Sequence, residues 1–147
     1  MGTIRILFLL TFFMTTLGTS MSYGQLKLDD QAVSDLQQTS QYAFVVSDVK
    51  HFKVVLNMYD VLVDNGVKVT DYEVITKGKF VKGLVKGSEL EALVEKYISK
   101  LRITVCSVAM AKHEMTKDQL IPGVEPVPAA SIRMLQLQAK GYNTLSY

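Results

Sequence analysis

One cysteine and two histidines bound the chemistry open to this 147-residue chain. Cys106 follows Ile103, Thr104 and Val105, β-branched residues that suit a strand core. It precedes Ala109, Met110 and Ala111, which suit a helix. A thiol at a strand-to-helix junction lies near the positive end of a helix dipole, where the nucleophilic thiolate is favoured. A lone cysteine cannot close an internal disulfide, so three readings stay open: a reactive thiol, a bridge between chains, or a small buried hydrophobe. His51 and His113 have no second cysteine at a ligand spacing, so the sequence offers no metal site. His113 lies roughly two helical turns beyond Cys106, out of reach of the thiol unless the helix breaks, which disfavours a Cys-His pair. No Gly-x-Ser-x-Gly elbow is present, and no glycine-rich loop follows the first apolar stretch. Both absences argue against a serine hydrolase and against a nucleotide or flavin cofactor.

A second chemical feature is the row Lys77, Lys79, Lys82 and Lys86, interleaved with Phe80, Val81, Leu84 and Val85. It reads either as a basic lid that attracts an anionic ligand to the thiol, or as a short loop-helix with solvated lysines and a buried apolar side. The patch is too short and too glycine-interrupted for a membrane-surface helix.

The elements that must position Cys106 follow from periodicity. Residues 41–48 are almost continuously apolar, as in a parallel strand buried on both faces. Residues 50–65 read as a helix with an apolar stripe of Phe52, Val55, Leu56, Tyr59, Leu62 and Val63, ended by Gly66. Residues 67–76 form a second strand, which completes a right-handed βαβ unit. Residues 88–101 read as a helix with a Ser88/Glu91 capping box and a core face from Leu90 to Leu101. The Cys106 strand follows, then a helix over 107–113 and a short turn capped by Thr116. All three prolines fall within residues 121–128, an extended connection with a short strand over 124–127. A last helix covers 129–140 and stops at Gly141, leaving 142–147 as a terminal strand or tail. Loops at the C-terminal strand ends of such a sheet share one edge, where ligands bind. That places Ser47, Asp48, Lys77, Gly78 and Ser107 as possible neighbours of Cys106.

Residues 1–24 read as a cleavable secretory signal: a short start ending at Arg5, an apolar run over 6–17, and small residues at Ser22 and Gly24. The run is shorter than the ~20 residues of a membrane span. The expectation is a secreted or periplasmic protein beginning at Gln25, with a polar N-terminal extension over 25–40 and one domain over 41–147. The formal charge of +2 gives no case for a nucleic-acid partner.

The order of an apolar strand, Cys106 and a helix, then Leu120-Ile121-Pro122-Gly123-Val124, then a helix ending Leu135-Gln136-Leu137-Gln138-Ala139-Lys140-Gly141-Tyr142, resembles the DsrE/DsrF-like (YchN-like) family of small sulfur-handling proteins. The resemblance runs from about Tyr42 to Tyr147, and its pieces are specific mainly in combination. It implies a three-layer α/β/α domain with a mainly parallel sheet of about five strands, and a homo-oligomer, trimer or hexamer. It also implies a cysteine, here Cys106, that accepts sulfur as a persulfide from a donor protein and passes it to an acceptor, with no metal or organic cofactor. Many members carry a histidine-glycine pair after the second strand, where this chain has Lys77-Gly78. The contrasting expectation is a non-catalytic oligomeric binding or structural module with Cys106 buried.

Overall fold

Three runs of β-branched and aromatic residues form the middle of the sheet: β1 (Gln41–Val46), β2 (Asp71–Thr76) and β3 (Arg102–Cys106). A computed structural model describes residues 26–147. The segment read as a secretory signal lies outside the described residues. Two short strands flank the middle three: β4 (Glu125–Val127) beside β3 and β5 (Asn143–Ser146) beside β1. The order is β4-β3-β2-β1-β5, and every pairing is parallel. The architecture is the α/β fold the sequence predicts.

Register sorts the strand residues onto two faces. Tyr42, Phe44, Tyr72, Val74, Ile103 and Val105 share one face. There they meet α2 (Val49–Asp64), whose Phe52, Val55 and Leu56 are buried. The Tyr72 hydroxyl donates to the Val55 carbonyl at 2.5 Å, and burial pushes that phenol's pKa up. A 3-10 helix (Gly78–Gly83) closes the same layer, with its Phe80 ring 5.2 Å from Phe52. Phe80, Val81 and Leu84 are buried while Lys77, Lys79, Lys82 and Lys86 are exposed. The opposite face carries Asp71, Glu73, Ile75, Arg102, Thr104 and Cys106 and is covered by α5 (Ala130–Ala139). The N-terminal α1 (Asp30–Leu36) is capped by Asp29 and packs Val33 and Leu36 against the core. The Leu28 N–H donates to Asn65 Oδ1 at 2.8 Å, which ties this segment to the end of α2.

Several expected boundaries move, each for a local reason. The first strand stops at Val46 because Asp48 leaves the sheet to cap α2, accepting from the His51 N–H at 2.9 Å. The second strand starts at Asp71 rather than Val67. Gly66 adopts φ 79°, and the Val67 N–H donates back to the Leu62 carbonyl, a Schellman end that takes Val67 out of the strand. Val61 rather than Val63 is buried on α2, and Val63 is exposed. The helix expected over 88–101 is shorter, α3 (Glu91–Tyr97), and the Ser88/Glu91 box does not form. The Ser88 N–H is already committed to the Val85 carbonyl, so the Glu91 carboxylate accepts from the Gly87 N–H instead, at 2.7 Å.

Candidate functional site

Cys106 ends β3 and is the N-cap of the six-residue α4 (Ser107–Lys112). Connections on the two sides of this point diverge. The helix after β3 packs against the 3-10 helix on the α2 side, while the helix after the neighbouring β4, α5, lies on the other face. Adjacent strands whose connections leave on opposite faces open a crevice at their C-terminal ends, the usual ligand position in open α/β sheets. Cys106 pairs in register with Val127 at that switch point.

The sulfur faces α5, and only 7% of the residue is exposed. It nevertheless lines an open groove of about 720 Å³, shared with Val45, Lys77, Val108, Met134, Leu135 and Ser146. The first N–H of α5, from Ala130, donates to Cys106 Sγ at 3.4 Å. Sequence reasoning assigned the helix dipole at the thiol to α4. The hydrogen-bond donor comes from α5, which starts 24 residues further on, and no local spacing announces that contact. An N–H at a helix start is well placed to receive negative charge on sulfur. Lys77 is exposed and is the one charged side chain that lines the groove among the described residues.

The other expected neighbours are distributed differently. Ser47 is exposed and Asp48 turns to α2, where its carboxylate meets His51 Nδ1 at 2.6 Å. The His51 side-chain and backbone hydrogen bonds hold the Asp48 carboxyl below its ordinary pKa. The His51 ring stacks on Tyr147, 5.1 Å away. Gly78 opens the 3-10 helix with φ 64°, and Ser107 is the first residue of α4. None of Ser47, Asp48, Gly78 or Ser107 lines the groove. His113 lies at the far end of α4 and lines a separate cavity with Lys82 and Lys86.

A charged cluster that sequence reasoning missed lies beside Cys106 on the same face. Glu73 is fully buried in the middle strand. Arg133, in the first turn of α5, donates to Oε1 through Nε at 2.9 Å and to Oε2 through a terminal nitrogen at 2.8 Å. The Thr104 hydroxyl donates to Oε1 at 2.9 Å, and an Arg102 terminal nitrogen lies 2.9 Å from Oε2. Arg102 also holds Asp71 through two hydrogen bonds, and the Tyr142 hydroxyl donates to Asp71. Burial pushes the Asp71 carboxyl up, but Tyr142 and Arg102 outweigh burial and hold it below its ordinary pKa. The available hint was a glutamate in the otherwise apolar core of Asp71-Tyr72-Glu73-Val74-Ile75-Thr76. Among the described residues, no group of three or more His, Cys, Asp or Glu is arranged to hold a metal, and no helix is long and apolar enough to cross a membrane.

Two solved structures share this fold. The ychN protein from E. coli superposes with a TM-score of 0.62 at 12% identity, covering 74% of this chain and 100% of that one. MTH1491, a protein of unknown function from Methanobacterium thermoautotrophicum, superposes with a TM-score of 0.64 at 20% identity and the same coverage. No family model and no curated protein matches the chain. The resemblance read from the sequence is supported at the level of the fold.

Proposed function

We propose that the protein is a sulfur carrier, or an accessory to a sulfurtransferase, that holds sulfane sulfur as a persulfide on Cys106. The observation that carries this reading is a thiol at the topological switch point, on the wall of an open groove, with a helix-start N–H donating to its sulfur. In loading, the Cys106 thiolate attacks the sulfane sulfur of a donor persulfide. The Cys106 sulfur–sulfur bond forms as the donor's sulfur–sulfur bond breaks, and the donor leaves as a thiolate that takes up a proton. An acceptor thiolate reverses the sequence by attacking the outer sulfur and releasing Cys106. Two-electron exchange between sulfurs needs no external oxidant. Lys77 supports the reading as a cation beside the path of an anionic sulfur donor.

The near-complete burial of Cys106 favours a second reading, a binding or structural module in which the thiol is a core residue. Intact-mass measurement on the native protein after polysulfide or iodoacetamide separates the two. The carrier gains sulfur or one carbamidomethyl group, and Cys106→Ser abolishes both while the protein stays folded. A native thiol that stays unmodified until denaturant is added leaves the second reading.

Two further features belong to this proposal. The protein self-associates as a trimer or hexamer, a reading supported by the exposed apolar side chains Val108, Ile132 and Leu135 on and near the α5 face. It is exported with removal of residues 1–24, supported by the apolar run and small residues of that segment. Sedimentation velocity tests the first, and the N-terminal mass of protein recovered outside the cytoplasm tests the second.

A further inference from the structure

We infer that Glu73 and Arg133 are positioning residues for Cys106: their buried ion pair fixes the first turn of α5 and so keeps the Ala130 N–H on the sulfur. The inference rests on the reading of Cys106 as the reacting thiol.

A carboxylate without solvent exposure in the middle strand of a sheet is costly, and pairing offsets that cost without making it a strong source of stability. An apolar side chain at position 73 would fill the same space with no charge to desolvate. What the ion pair supplies is geometry. The Arg133 fork meets both Glu73 oxygens, an arrangement that tolerates little displacement. Arg133 is three residues after Ala130, within the same helical turn. On the sheet side, Thr104 and Cys106 stand on one face of β3, two residues apart and so about 7 Å along the strand. The clamp and the sulfur contact are therefore neighbouring steps of one layer. Apolar packing holds α5 less firmly, since only Ala130 and Leu137 are buried along it and Met134 is half-buried, while Ile132 and Leu135 are exposed. A helix held by so few apolar anchors takes its position from the fork.

The charged groups around the thiol are Lys77 across the groove, Arg133 above the sheet, and Glu73 with its second partner Arg102 beside it. Simple field effects and positioning then predict different things. Glu73→Gln removes a negative charge and Arg133→Met removes a positive one. As field effects these would move the pH midpoint of Cys106 alkylation in opposite directions. If the pair positions the Ala130 N–H, both variants loosen the same donor and both midpoints move up.

The test is the pH profile of iodoacetamide alkylation on the full chain, followed by intact mass, for wild type, Glu73→Gln, Arg133→Met and Arg133→Lys. Thermal unfolding confirms that each variant is folded. The expected result is a higher midpoint in both Glu73→Gln and Arg133→Met, a neutral-pH rate lowered by about threefold to tenfold, and partial rescue in Arg133→Lys. If Arg133→Met does not fold, the near-isosteric Glu73→Gln and charge-retaining Arg133→Lys decide alone. Midpoints that stay at the wild-type value, or that move in opposite directions, overturn the positioning role and leave Cys106 as a reactive thiol. A wild-type thiol that is silent until unfolding overturns the positioning role together with the reading beneath it.

Discussion

Lys77 and Cys106 line one groove, so the charge of an incoming reagent should matter there. In Lys77→Glu, the rate of Cys106 alkylation by anionic iodoacetate should fall about threefold relative to neutral iodoacetamide, and added salt should shrink the difference. An unchanged ratio would remove Lys77 from the site. Asp71 gives a pH prediction. Its folded-state pKa is lowered, so its contribution to stability is present above the ordinary carboxylate value near ~4. That contribution is lost as pH falls through the lowered value. Urea unfolding of wild type against Asp71→Asn should show the gap between them narrowing under acid. At this scale the sequence was legible where chemistry is local. Cys106 could be singled out because it is the only thiol at a strand end. The Arg133–Glu73 contact spans 60 residues and the Ala130–Cys106 contact 24, distances no spacing rule bridges.

Helix ends show the same contrast between local and distant causes. Three helices finish in one way: the residue after the C-cap takes positive φ, and the next N–H donates to the carbonyl five residues back. It does so in α2 at Gly66–Val67, in α5 at Gly141–Tyr142, and in α4 at Glu114–Met115. The first two stops were readable because glycine fits that conformation. The third was placed after His113, in agreement with the structure, but no glycine marks it: Glu114 carries φ 54° with a side chain that resists it. Glu114→Gly should therefore stabilise the protein by about 0.5–1 kcal/mol, seen as a higher urea midpoint at constant slope. A neutral or lower midpoint would mean that the Glu114 side chain compensates elsewhere. The Ser88/Glu91 box failed for a related reason. Its pattern was present, but the preceding turn had already used the Ser88 N–H. Periodicity located the helices well, and competition for backbone donors set where they stopped.

Across the whole molecule, the strand sequence was largely legible because each central strand is rich in β-branched and aromatic residues and is bounded by helices. The order of strands was not. That β5 returns to lie beside β1, and that α5 must cross the opposite face to bring it there, follows from packing rather than from any local pattern. A chain lacking residues 143–147 should lose that edge strand and uncover the flank of Tyr42 and Phe44. It should unfold at lower temperature and bind an apolar dye that the full chain does not bind; unchanged melting would make β5 dispensable. The β1–β5 pairing also carries a consequence for the order of events in folding. β1 (Gln41–Val46) has its partner β5 about a hundred residues further along the chain, so that edge of the sheet cannot close until β5 has been made. Closing so long a loop is slow relative to forming local βαβ units. The nascent protein therefore passes through a state with β1 unpaired on one side, open to threading or to a chaperone, until Tyr147 arrives and its N–H bonds the Val45 carbonyl.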